Sequence, residues 1–345
     1  KGYSSTVIQK VFESGESLIF TGSDEGEALQ SKSIVMHNLK SIMVVPMVVG
    51  GEFMGIAYVD SSLAKGLFNE SDLEVFRSLA TQVAVGIKNA RLADQEALQR
   101  ELQKDLELTA AVQNMFLPRT SSESFGDVQL HAQFRPAALC SGDWWWYRRQ
   151  ECGSVCGIIA DVTGHGAGPA MLTASVATCF ILKELEASDL SLPDTIKRAH
   201  ETIHKVASGE YLMSLFAFQI NPERTKLEFW SAGHPLAVAV SKNNEIELFG
   251  SAGRMLGMSD FKLGYGERSL GKGDRIFLYS DGLTETMVGE GRMFGERRLM
   301  KFLTASNDLP GDKLISGILQ KVDDLRETDR QDDDITCLVV DVGRS

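Results

Sequence analysis

Apolar positions along this chain follow three successive patterns. From Ile42 to Val49 nearly every position is apolar, and many are β-branched (Ile42-Met43-Val44-Val45-Pro46-Met47-Val48-Val49). Gly50-Gly51 interrupts the run, and Phe53-Met54-Gly55-Ile56-Ala57-Tyr58-Val59 resumes it. Two short strands about a glycine pair predict a β-hairpin. Asn69-Glu70-Ser71-Asp72 then supplies capping side chains, and Leu73, Phe76, Leu79, Ala80, Val83 and Ile87 recur at helical spacing.

Between Lys88 and Pro118 there is no glycine, and Leu98, Leu102 and Leu106 stand four apart, with Val112 and Phe116 beyond. Charges of both signs fill the gaps: Arg91, Asp94, Glu96, Arg100, Glu101, Lys104, Asp105, Glu107. This predicts a long exposed helix with one apolar stripe, ended by Pro118. The stripe either seals a parallel coiled-coil dimer or lies on the following domain.

From residue 119 onward strands and helices alternate. Val155–Ala160, Met213–Ile220, Lys226–Ser231, Leu236–Val240, Arg275–Tyr279 and Ile335–Val342 read as strands. Residues 167–187, 194–207, 295–303 and 311–325 read as helices. Consecutive short strands after a helical pair predict an α+β sandwich rather than a doubly wound parallel sheet.

Composition narrows the picture. The 345 residues suit two domains, with 43% hydrophobic and 24% charged positions in the ordinary globular range. A net charge of -12 disfavours nucleic acid and anionic lipid as partners. No apolar run approaches the ~18 residues of a membrane span, so no membrane association and a cytoplasmic location are expected. The five cysteines lack zinc-knuckle spacing and read as free thiols. The chain opens at Lys1 without an initiator methionine, as a piece of a longer protein would.

Candidate chemistry lies in the aspartates. Asp143 stands in Ser141-Gly142-Asp143-Trp144, Asp161 ends an apolar strand before Val162-Thr163-Gly164-His165-Gly166, and Asp281 ends another in Tyr279-Ser280-Asp281-Gly282. Asp332-Asp333-Asp334 opens the last strand. Carboxylates gathered in one place are costly without cations, and hard divalent ions with oxygen ligands are the usual compensation. A pair of such ions clamps a phosphate. Each Asp-Gly alone is equally an ordinary turn, and spacing does not show that the four sites converge.

In order, five segments resemble the SpoIIE-like, RsbU-like branch of the PPM-type serine/threonine phosphatases. They are Ser141-Gly142-Asp143; Asp161-Val162-Thr163-Gly164-His165-Gly166; Ser231-Ala232-Gly233-His234-Pro235; Tyr279-Ser280-Asp281-Gly282-Leu283-Thr284-Glu285; and Asp333-Asp334-Ile335-Thr336. The resemblance covers about residues 115–343 and implies an αββα sandwich binding two Mn²⁺ or Mg²⁺. By position Asp161 would bridge both ions, Asp143 and the Val162 carbonyl would complete one site, and Asp281 and Asp333 the other. The implied reaction is in-line attack of water on phosphoserine or phosphothreonine, with Asp161 and Asp281 as its catalytic centre. The implied substrate is a small phosphorylated STAS-type protein.

The chain departs from the family at Trp144-Trp145-Trp146-Tyr147, whose rings either line a substrate groove or pack in the core. Arg148 either holds phosphate or is solvated. His165 and His234 sit in glycine turns, as substrate-side or structural residues.

Ser41–Met47, Gly55–Asp60 and Gln82–Leu92 resemble a GAF domain, which implies a sensor that binds a small ligand or dimerises. The expected organisation is a GAF-like α/β sensor over 1–90, a helical linker and possible coiled coil over 91–118, and the phosphatase domain over 119–345. A homodimer through sensor and linker is expected. The competing reading is a non-catalytic signalling scaffold on a phosphatase-like fold, against which the intact acidic positions count.

Overall fold

In a computed structural model, residues 5–20, 41–63, 68–164, 166–185, 191–289, 291–328 and 331–344 are described. The chain divides into two compact units, Lys1–Leu102 and Gln103–Ser345.

The first unit contains helix α1 (Ser5–Ser14), strands β1 (Leu18–Phe20), β2 (Ser41–Val49) and β3 (Glu52–Ser61), and the start of helix α2 (Glu70–Asn114). The strands form one antiparallel sheet in sequence order. The expected hairpin is β2–β3, and Gly50 and Gly51 at φ 60° and 83° supply the left-handed pair a tight two-residue turn requires. Alternation along β2 distributes its side chains. Ile42 and Val44 pack with Val7 and Val11 of α1, while Met43 and Val45 pack with Leu73 and Ala80 of α2. Asn69 Oδ1 accepts from the Ser71 and Asp72 backbone N–H groups at 2.9 and 3.2 Å, capping α2 as its sequence predicts.

Helix α2 is 45 residues long, so the sensor's last helix and the expected linker are one element. It ends at Asn114 rather than at Pro118. Phe116 N–H donates to the Gln113 carbonyl at 2.9 Å, a tighter turn that closes the helix before the proline is reached.

The second unit is a sandwich. Strands β4 (Ser122–Phe125), β5 (Val128–Arg135), β6 (Asp143–Arg149) and β7 (Val155–Val162) precede helices α3 (Ala167–Leu185) and α4 (Leu192–Ala207). Strands β8 (Met213–Ile220), β9 (Lys226–Ala232), β10 (Ala237–Val240), β11 (Ile246–Phe249), β12 (Gly264–Ser269) and β13 (Arg275–Tyr279) follow. The chain ends with α5 (Asp281–Glu285), β14 (Met287–Val288), β15 (Arg292–Met293), α6 (Gly295–Ala305), α7 (Gly311–Leu325) and β16 (Ile335–Val342). One sheet has the order β11-β10-β13-β16-β5-β4, the other β12-β9-β8-β7-β6.

Between the sheets, Trp145, Ile159, Phe216 and Phe218 pack against Leu130, Ile276, Leu278 and Leu338. On the outer face of the five-stranded sheet, Trp144, Ile158 and Leu215 meet Val176, Phe180, Ile196 and Ile203 of α3 and α4. On the outer face of the six-stranded sheet, Val238, Phe277 and Val339 meet Leu299, Leu314 and Ile318 of α6 and α7. Both sheets are buried on both faces, hence their nearly continuous apolar runs. The architecture is the expected αββα sandwich.

Candidate active site

The acidic residues come together because strand ends meet at one end of the sandwich. Asp143 opens β6 and pairs in register with Asp161 near the end of β7. Asp281 opens α5 directly after β13, and Asp333 lies two residues before β16, the neighbour of β13.

Asp143 is buried. Its Oδ2 accepts from Ser280 Oγ at 2.8 Å and Thr336 Oγ1 at 2.5 Å, and the Asp161 carboxyl lies against it. Burial pushes its carboxyl up to about 7, against the lowering effect of the Thr336 hydroxyl and with Asp334 adding to the rise. Asp161 rises to about 9, from burial first and then from the negative charges of Asp143, Asp281 and Asp333. Asp281 is also raised, by burial and then by Glu285. The group is thus a cluster of like charges that resists ionisation.

Among the described residues no three acidic, histidine or cysteine side chains close on one point. Asp143 and Asp161 abut, while Asp281 and Asp333 act on Asp161 through their charge. The donor set is nonetheless all oxygen, and the buried Asp143 carboxyl set against that of Asp161 suits a hard divalent cation.

Backbone crowding fixes this geometry. A Cβ on Gly142 would fall 2.5 Å from the Val162 carbonyl oxygen and 3.1 Å from Asp161 Oδ1. Gly142→Ala is therefore expected to leave the fold intact and cut turnover by roughly 100-fold, since ~1 Å of misplacement costs that much. A melting temperature within a few degrees of wild type together with full activity would count against this.

Three further features complete the site. Ser280 and Thr336 orient Asp143. Asp334, neighbour of the chosen Asp333, is a lacing residue: it accepts from Ala137 N–H at 2.7 Å and Gly142 N–H at 2.9 Å. Gln113, buried at the end of α2, donates to the Ser141 carbonyl at 2.6 Å and accepts from Ser141 N–H at 3.2 Å. The Ser-Asp and Asp-Ile-Thr spacings were visible; that they converge was not.

Two expected substrate residues are corrected. Trp144 is fully buried between β6 and α3, with Nε1 donating to the Phe116 carbonyl at 3.1 Å, so no ring face is left for substrate. Arg148 lies five residues along β6 from Asp143, roughly 17 Å at ~3.3 Å per residue, at the opposite end of the sheet. His165 lies outside the described residues. His234 is buried, with Nδ1 2.8 Å from Ser214 Oγ, and burial holds it down at about 3, so its ring is neutral and structural.

The family model for stage II sporulation protein E (SpoIIE) matches residues 152–343, more than half of the chain. The chain belongs to the SpoIIE family. A GAF domain model matches residues 2–87. The phosphoserine phosphatase RsbU of Bacillus subtilis is 26% identical over 246 residues, covering 68% of this chain and 71% of RsbU. The SiaA PP2C domain of Pseudomonas aeruginosa superposes with a TM-score of 0.62 at 22% identity, covering 70% of this chain and 98% of that domain. The SpoIIE phosphatase domain of Bacillus subtilis, solved with a fragment of its regulatory domain, gives 0.52 at 18% identity, covering 65% and 64%. This SpoIIE-family chain is a PPM-type serine/threonine phosphatase with an N-terminal GAF domain, and no helix among its described residues is long and apolar enough to cross a membrane.

Proposed function

We propose that the chain hydrolyses phosphoserine or phosphothreonine on a small STAS-type protein. Two Mn²⁺ or Mg²⁺ are held by Asp143, Asp161, the Val162 carbonyl, Asp281 and Asp333. The observation that supports the metal reading is the close approach of the buried Asp143 carboxyl to that of Asp161, two oxygen donors of like charge that a divalent cation would compensate. When bound, such ions polarise a phosphoryl group and activate water for in-line displacement. The chain's own contribution is positional. Ser280 and Thr336 occupy Asp143 Oδ2, so only Oδ1 faces the site. Asp334 ties the Gly142 loop to the segment that carries Asp333 into β16. The protein-substrate part rests on likeness to RsbU, a named phosphoserine phosphatase.

The regulatory part of the reading is that the GAF domain, by ligand or by homodimerisation, acts through α2. Val75, Leu79 and Val83 form one exposed apolar stripe on that helix, and Leu98 and Leu102 lie exposed four apart further along, positions a second copy could cover. The last turns of α2 bear on the site: the Leu106 carbonyl accepts from Cys140 Sγ at 3.3 Å, and Gln113 grips Ser141. Phosphatase assays on an aryl phosphate across added Mn²⁺, with and without residues 1–90, test both parts. Turnover is expected to need Mn²⁺ and to change on removal of 1–90. Polar replacements at Leu102, Leu106 and Phe116 are expected to make the full chain behave as the truncated one. Full activity in metal-free buffer would sink the metal reading, and identical rates with and without 1–90 the regulatory one.

A further inference from the structure

The end of the sandwich opposite the carboxylates has the opposite charge. Arg275 opens β13 and Asp281 follows its end, six residues on, or about 20 Å at ~3.3 Å per residue. At the Arg275 end lies a cavity of about 590 Å³, walled by the β10–β11 and β12–β13 turns, the 307–311 segment and the end of β16. Its charged lining residues are Lys242, Lys272, Arg275, Arg344, Asp308 and Asp341.

Arg275 and Asp341 neutralise each other, with Nε and Nη2 on the two carboxylate oxygens at 2.6 and 2.8 Å. That leaves Lys242 and Lys272, with Arg344 shared among the carboxylates of Asp341, Asp274 and Asp308, in a chain of net charge -12. Neither lysine has an ion-pair partner within 4.0 Å among the described residues. Their stems are held in place by glycines. A Cβ at Gly273 would lie 3.1 to 3.3 Å from the Lys242 side-chain carbons, and one at Gly343 would lie 2.7 Å from Lys272 Cγ.

The Arg344 guanidinium also lines the cavity, fixed by Nε and Nη1 donating to the Gly273 and Asn307 carbonyls at 2.7 and 2.6 Å. The first turn of the 15-residue helix α7 also borders the cavity at Pro310 and Gly311, and free N–H groups at a helix start favour an anion.

We propose that this cavity is a binding site for a small oligophosphate, separate from the active site. Lys242 and Lys272 neutralise the outer phosphate, and Arg344 with the start of α7 holds the inner one. The site does not depend on the proposed catalysis.

Calorimetric titration of pyrophosphate tests it, using the full chain stripped of metal by chelator and then dialysed. Under those conditions the clustered carboxylates repel anions, so binding cannot be at the active site. One saturable site is expected, weakened by added salt and tighter for pyrophosphate than for inorganic phosphate. Lys242→Ala/Lys272→Ala, at exposed positions that leave the melting temperature unchanged, is expected to weaken it at least ~10-fold. Arg344→Gln is expected to weaken it while the lysines remain. Absence of saturable heat, or binding by the double variant equal to wild type, overturns the proposal.

Discussion

Asp161→Asn lowers turnover by at least ~1000-fold while the protein stays folded. The substitution keeps the volume and removes one carboxylate from the midst of Asp143, Asp281 and Asp333. Under the metal reading this carboxylate would help hold both cations, and the charge stabilisation such ions supply to a phosphoryl-transfer transition state would amount to several kcal/mol; each ~1.4 kcal/mol is tenfold in rate. The ionised form of Asp161 is already disfavoured, its carboxyl being held at about 9 by burial and by three like charges, so the neutral amide adds no new burden to the fold. The measurements are kcat on a phosphoprotein or aryl phosphate, Mn²⁺ affinity by calorimetry, and the unfolding midpoint. A variant keeping a tenth of the wild-type rate would contradict the central place given to this residue, and so would wild-type Mn²⁺ affinity. Lost activity accompanied by a collapsed midpoint would instead show that Asp161 is structural.

Arg275→Leu is expected to be the most destabilising single change at the other end of the sandwich. Arg275 is 1% exposed, and besides its two contacts to Asp341 it donates to the Asn307 and Leu309 carbonyls at 3.0 and 2.9 Å. Removing it strands a carboxylate that is itself 2% exposed and releases the segment leading into α7. Breaking a buried pair from one side costs about 3–5 kcal/mol, because an uncompensated charge remains inside. Replacing both partners, Arg275→Leu with Asp341→Leu, is expected to recover a large share of that loss, since no charge is then left without a partner. Urea unfolding followed by tryptophan fluorescence reads the second unit, where all four tryptophans lie. A loss below ~1 kcal/mol for the single variant would mean that Arg344, whose Nε lies 3.8 Å from Asp341 Oδ1, suffices as its partner.

The two sites assign opposite ends of one sandwich to opposite charges. Strand direction imposes this arrangement. β13 and β16 are antiparallel neighbours, so Arg275, which opens one, and Asp341, next to last in the other, meet at one end. By the same pairing, Ser280 and Asp281 after β13 meet Asp334 and Thr336 at the start of β16 at the other.

Much of this protein was fixed by local pattern. The β2–β3 hairpin followed from two apolar runs about Gly50-Gly51, and the strands Arg275–Tyr279 and Ile335–Val342 and the helix Gly311–Leu325 have the bounds their periodicity predicted. Helix and strand periods are properties of a short stretch, which is why they are readable there. The acidic motifs were also readable, as residues next to glycine at strand ends. Other features depended on partners distant in sequence. Whether Trp144 lines a groove or packs in the core is decided only when β6 is placed under α3, and whether Arg148 reaches phosphate only when the length of β6 separates it from Asp143. Asp334 receives the Gly142 and Ala137 N–H groups from almost 200 residues away, and the grip of Gln113 on Ser141 spans 28 positions. Such contacts are set by sheet order and layer packing, which local periodicity does not encode.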